Sequence, residues 1–191
     1  YGRRFGGQAC MKLPEFITPN FITVIRLLLV PVGAYTLFKN GGDDPTWQYI
    51  SWCVFFLLGM SDVLDGKLAR SRGTITEFGK FLDPVADKFM IGTAMISLSI
   101  LDRMPWWITI TILTREVAIT LLRIAVIKRG VVAANKGGKA KAMMQNFGVG
   151  FYVLPLPSGL FWFRDGFMYV AIVLTILTGA YYVRSIFTHK D

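Results

Sequence analysis

The chain is 191 residues long, 53% hydrophobic and only 17% charged, and carries a formal net charge of +9. With a positive mean hydropathy, that balance argues against a water-soluble core and for a one-domain integral membrane protein with no nucleic-acid partner. The two cysteines, Cys10 and Cys53, lie far apart in unlike settings, which argues against a disulfide framework.

Residues 1–18 read as a polar leader, glycine- and arginine-rich over 1–10, with no function assigned. Residues 19–188 read as one six-helix transmembrane catalytic domain, since roughly 20 apolar residues are needed for each crossing. The first run, 21–38, is broken only by Arg26 and a few small or hydroxyl residues; Pro14 and Pro19 precede it, and 39–44 with Gly41 and Gly42 end it.

The next two runs are short. Residues 49–60 are apolar for twelve positions, which in helix covers about 18 Å against a hydrocarbon core of about 30 Å. The helix must therefore continue through Asp62 and Asp65. Residues 89–101 need the same extension backwards, through Asp87, Pro84 and Asp83, with Pro84 expected in the first turn, where proline is tolerated. Runs 105–126, 143–163 and 167–183 follow, separated by polar breaks at 102–103, 128–141 and 164–166. The expectation is an all-α protein of six crossings. One side collects Arg3, Arg4, Lys12, the 67–80 and 128–141 loops, Arg184 and Lys190; the other has only Lys39, Arg103 and Arg164. By the positive-inside rule both termini and the aspartates face the cytoplasm.

Asp62, Asp65, Asp83 and Asp87 are a third of the twelve acidic residues of this basic chain. Three and four positions apart, each pair projects from one face of its helix. The two short helices are joined at their truncated ends, so all four carboxylates share one membrane depth. Left alone they would repel one another at a poorly solvated boundary, so they must be protonated, paired with cations or bound to metal. Oxygen donors without a nearby histidine or cysteine favour a hard ion, Mg²⁺ or Mn²⁺, completed by substrate phosphates. Gly66 and Gly79 let a ligand approach backbone, and Arg70 adds a positive charge suited to a diphosphate.

The series Asp62, Asp65, Gly66, Ala69, Arg70, Gly79, Asp83, Asp87 resembles the shared motif of the CDP-alcohol phosphotransferases, membrane enzymes of six helices, at every motif position. The resemblance implies a two-metal site in which Asp62 and Asp83 bridge both ions, Asp65 binds one and Asp87 the other, with Asp87 also the general base. It places the CDP group around Gly66, Arg70, Thr76 and Gly79, and around Asn20 and Thr23 at the start of the first helix, where helix capping is an equal alternative. The expected reaction is attack by a hydroxyl, deprotonated by Asp87, on the lipid-side phosphorus of a CDP-linked lipid, with CMP leaving.

Arg115 and Arg123 lie inside the fourth apolar run, where a guanidinium is costly unless it faces a cavity or an anion. Arg115 can also simply pair with Glu116. Lys136, Lys139 and Lys141 open the fifth helix on the same side, Lys136 as an ordinary headgroup lysine. Arg115, Arg123, Lys139 and Lys141 together suggest an acceptor that bears phosphate. The stretches at 19–31, 79–88, 114–123 and 137–145 also resemble the bacterial phosphatidylglycerolphosphate synthase branch of the family. That implies CDP-diacylglycerol as donor, glycerol 3-phosphate as acceptor, a bacterial cytoplasmic membrane and a homodimer; inositol phosphate or phosphatidylglycerol is the second choice of acceptor. From other classes, a divalent cation transporter explains the carboxylates but not Gly66, Arg70 and Gly79, and a non-catalytic lipid scaffold requires that all four aspartates tolerate replacement.

Overall fold

The computed structural model describes residues 19–72, 77–126 and 136–188, with side chains described over 23–61, 84–122 and 140–184. These residues form six α-helices and no strand: α1 (Pro19–Phe38), α2 (Pro45–Arg72), α3 (Glu77–Ile100), α4 (Trp106–Val126), α5 (Lys136–Val153) and α6 (Phe161–Thr188). As the shortness of two apolar runs required, α2 extends through Asp62 and Asp65, and α3 begins before Asp83.

The turn between α1 and α2 uses positive φ at Asn40 (53°), Gly41 (74°) and Gly42 (85°). Gly42 has a second reason to lack a side chain, since a Cβ there would sit 2.8 Å from Leu101. Asp44 then caps α2: its Oδ1 accepts from the Thr46 backbone N–H at 2.9 Å, and its carbonyl accepts from Gln48 N–H at 3.0 Å. Pro45 takes the first helical position, where its missing N–H leaves nothing unsatisfied.

Thr23, Arg26, Val30, Gly33 and Leu37 are buried at alternating spacings of three and four. That spacing is the stripe one face of a helix presents to its neighbours, and α1 packs chiefly on α2 and α3. Gly33 admits the Phe55 ring, and Ser51 donates from α2 to Thr36 on α1 at 2.9 Å. Ser99 and Thr109 make the matching α3–α4 bond at 2.7 Å. Small residues that let helices close, with hydroxyls bonded across the seam at about 0.6 kcal/mol each, are the usual cohesion of helices that share an apolar solvent. Met95, Leu98, Met104, Ile108, Ile112, Val153 and Met168 fill the common core. The outer surface is apolar as well: Leu28, Leu57, Ile110, Leu121, Trp162 and Leu177 are each more than half exposed.

Two boundaries differ from expectation. Pro84 is not in a first turn but at the eighth position of α3, which starts at Glu77; the helix continues through it at the loss of one backbone bond. The fifth helix does not run to 163: α5 stops at Val153, residues 154–157 are irregular, and α6 starts at Phe161, so the expected break at 164–166 lies inside α6. Pro155 and Pro157 are the cause, because neither supplies a backbone N–H and each pushes its predecessor out of helical geometry. Arg103 closes the C-terminal end of α5, donating to the carbonyls of Val153 (3.4 Å) and Leu154 (3.2 Å). By length and composition, Ser158–Arg184 (mean hydropathy 1.7) is the region among the described residues that meets the usual test for a membrane span. Helices α2, α3, α4 and α5 each carry several ionisable residues along their length.

Candidate active site

Asp62 and Asp65 lie in the last part of α2 and Asp83 and Asp87 in the first part of α3, on either side of the short 73–76 link. The helices run in opposite directions from that link, so both aspartate pairs belong to one end of the bundle. Asp87 is half-buried. The side chains of Asp62, Asp65 and Asp83 lie outside the described residues, as do those of Asn20, Arg70, Arg123 and Lys139 and the whole of Thr76. Among the described residues no group of three or more Asp, Glu, His or Cys side chains comes together. Gly66 and Gly79 fall within α2 and α3, Asn20 within the first turn of α1, Arg123 near the end of α4 and Lys139 in the first turn of α5.

Thr23 is 1% exposed, and so is Arg26 one turn further along α1. Both sit on the face that meets the two aspartate-bearing helices. Sequence reading noted Arg26 only as an interruption of the first run; its place at the three- and four-residue spacing of the core stripe was the signal that it points inward.

The best-defined polar contacts near Asp87 centre on Glu116 of α4. Its Oε1 accepts from Arg115 Nη1 at 3.0 Å and from Lys141 Nζ of α5, and its Oε2 lies 3.7 Å from Lys88 Nζ of α3. Lys88, next in sequence to Asp87, also donates to Thr120, whose hydroxyl donates back to the Glu116 carbonyl at 2.7 Å. The other arm of Arg115 reaches α6, donating from Nη2 to Thr178 at 2.8 Å. Gly179 makes room for it, since a Cβ there would stand 3.2 Å from Arg115 Nε. The structure thus brings together Arg115 and Lys141, two of the four residues expected at the acceptor site, through a carboxylate and a lysine that sequence reading gave no role of their own. Arg115 and Glu116 are neighbours in the chain, but Lys141 reaches Glu116 from 25 positions away and Arg115 reaches Thr178 from 63, separations of which spacing carries no trace.

A second feature adjoins the aspartates. An apolar cavity of about 410 Å³ opens between α2, α3 and α5, lined among others by Trp52, Phe55, Met60, Met90, Met143 and Phe147. Met60 precedes Asp62 by two residues and Met90 follows Asp87 by three, so the cavity starts beside the aspartates and continues along the helices.

Residues 16–177 match the family model for CDP-alcohol phosphatidyltransferase. A probable phosphatidylglycerophosphate synthase of Mycobacterium tuberculosis is 46% identical over 164 residues, covering 86% of this chain and 78% of that one. The CDP-diacylglycerol–glycerol-3-phosphate 3-phosphatidyltransferase of Bacillus subtilis is 36% identical over 177 residues, 86% of this chain and 92% of its own. A crystal structure of a Mycobacterium tuberculosis phosphatidylinositol phosphate synthase with CDP-DAG bound superposes with a TM-score of 0.66 over 90% of this chain and 87% of its own, at 21% identity, a likeness of fold alone. With its motif complete and relatives matched over most of both chains, this chain belongs to the CDP-alcohol phosphatidyltransferase family.

Proposed function

We propose that the protein transfers the phosphatidyl group of CDP-diacylglycerol to glycerol 3-phosphate, producing phosphatidylglycerol phosphate and CMP. The observation that carries this is the identity, 46% and 36% over most of both chains, with relatives named for that product or reaction. The apolar cavity supports it: lined by Met60 and Met90 on the aspartate-bearing helices, it suits an acyl chain of a donor whose headgroup reaches the aspartates. The cationic cluster around Glu116 includes Lys88, which follows Asp87 on α3, and its positive charge suits a phosphate-bearing acceptor.

The donor set, four carboxylates and no nitrogen or sulfur, fits hard divalent ions. Asp62, Asp65, Asp83 and Asp87 would together hold two Mg²⁺ or Mn²⁺ ions, Asp62 and Asp83 serving both, Asp65 one and Asp87 the other. When bound, the ions supply charge neutralisation for the phosphate oxygens. Asp87 takes the proton of the attacking hydroxyl at a carboxylate oxygen as that hydroxyl bonds to the lipid-side phosphorus. The bond from that phosphorus to the oxygen bridging it to CMP breaks, and CMP leaves with the negative charge. Gly66, Arg70, Thr76, Gly79, Asn20 and Thr23 hold the CDP portion; Arg123 and Lys139 join Arg115 and Lys141 on the acceptor phosphate.

The reaction belongs at a bacterial cytoplasmic membrane, with six crossings, both termini and the site on the cytoplasmic side, and a second copy completing a homodimer. The links at 39–44, 101–105 and 154–157 support that topology: Gly42 meets Leu101, and Arg103 bonds Val153 and Leu154, so these links share one end and leave the aspartates at the other. Release of CMP from CDP-diacylglycerol, measured with glycerol 3-phosphate, inositol phosphate, phosphatidylglycerol or no acceptor, with and without Mg²⁺ or Mn²⁺, tests the reading. Release is expected with glycerol 3-phosphate and a divalent ion. Preference for another acceptor would move the substrate, and no release with any would end the enzymatic reading.

A further inference from the structure

Glu116 draws cations from three helices onto one carboxylate: Arg115 beside it on α4, Lys141 on α5 and Lys88 on α3. The cluster is mostly sheltered, with Glu116 16%, Arg115 19% and Lys141 9% exposed, while Lys88 at 40% forms its open side. Three cations brought this close would push one another apart if nothing of opposite charge stood between them. A single carboxylate holds them but cannot neutralise them, and two positive charges remain. An ammonium has three donors and a guanidinium five; Glu116 engages one on Arg115 and one on Lys141, Thr178 takes one on Arg115 and Thr120 one on Lys88, and both lysines and the Arg115 Nη groups keep further N–H donors. A phosphate monoester near neutral pH carries about −1.5 to −2, which complements that remainder, whereas a neutral polyol does not.

We infer that Glu116 is a positioning residue of the acceptor site. It gathers Arg115, Lys141 and Lys88, the last of which follows Asp87 on α3, and the remaining donors of the three present a doubly positive receptor for the acceptor's phosphate. Thr120 and Thr178 fix the outer sides of Lys88 and Arg115, so the carboxylate sets the inner geometry. The inference deepens the proposed reaction and rests on its reading that the acceptor is phosphorylated.

The test compares the full-length wild type with Glu116→Gln and Glu116→Asp in detergent. It measures steady-state CMP release, and separately the thermal shift produced by sn-glycerol 3-phosphate, inorganic phosphate or glycerol. Glu116→Gln should raise the KM for glycerol 3-phosphate by at least about tenfold while the KM for CDP-diacylglycerol stays within about twofold. Glu116→Asp should recover most of the loss, and Glu116→Ala, expected to show the same selective rise, carries the test if the glutamine variant does not fold. Both phosphate compounds should stabilise the wild type and not Glu116→Gln, and glycerol should stabilise neither. An unchanged or lowered KM for glycerol 3-phosphate in Glu116→Gln, an equal rise in both KM values, or no phosphate-dependent shift in the wild type would overturn the inference. If the wild type releases no CMP but its phosphate shift is present and depends on Glu116, the reaction reading fails and the phosphate site stands. If CMP is released and the shift survives in Glu116→Gln, the reverse holds.

Discussion

Asp87 has two tasks in the proposed reaction, ligating an ion and removing a proton, and asparagine keeps its shape while losing the basic oxygen. Asp87→Asn is expected to lower kcat by at least about a hundredfold, the usual contribution of a positioned base, in CMP release at saturating donor and acceptor. Substantial turnover would remove the base from Asp87. Among individual residues, legibility followed distance along the chain. The helices that carry the four aspartates could be read, because the short apolar runs required α2 to extend through Asp62 and Asp65 and α3 to begin before Asp83, whatever the tertiary fold. Glu116 could not, because its importance comes from Lys88 and Lys141, which reach it only when α3, α4 and α5 pack together. Arg115 could be read as a phosphate ligand or, as the second choice, as the partner of Glu116, and the structure shows the pair made.

Individual helices were legible in type and, where capping or chain length constrained them, in extent. The start of α2 is a clear case, since Asp44 and Pro45 are both residues that open a helix. The Asn40 amide, and after it the Thr46 backbone N–H, hold the Asp44 carboxyl below its ordinary value of 3.8. A depressed carboxylate stabilises the fold above its unfolded pKa and loses that contribution as pH falls through the lower folded value. Asp44→Ala should therefore melt a few degrees below the wild type at neutral pH, with a gap that stays level down to about pH 4 and narrows below it. Melting curves of the two proteins across that range check this; a gap independent of pH would mean that the carboxylate's charge has no part in the cap. The boundary between α5 and α6 was misread because mean hydropathy counts proline and its apolar neighbours as one run. Backbone hydrogen bonding ends the helix at Val153 all the same. Pro84 shows the converse, as α3 absorbs it two turns in.

At the scale of the molecule, the described residues carry apolar side chains on the outer surface and bury polar ones, among them Ser51, Ser99, Thr109 and Lys141. A bilayer permits this arrangement, because lipid leaves nothing to be gained by hiding leucine, while polar groups between helices bond one another. Ile176, 54% exposed on α6, should on this reading face acyl chains. Ile176→Arg is expected to destabilise insertion by about 2.5–3.5 kcal/mol and to lower the amount of protein recovered from membranes, whereas a water-facing position would accept arginine with no such loss. Composition and the aspartate motif determined by themselves that the chain is helical, apolar and of the CDP-alcohol phosphatidyltransferase family, because these properties depend on local spacing and on the mean character of the residues. Tertiary structure alone decided that Glu116 joins three helices through Lys88, Arg115 and Lys141, that Arg26 turns inward, and that an apolar cavity opens beside the aspartates. Charge pairing and cavity shape arise between segments distant in sequence, and helix packing is what brings those segments together.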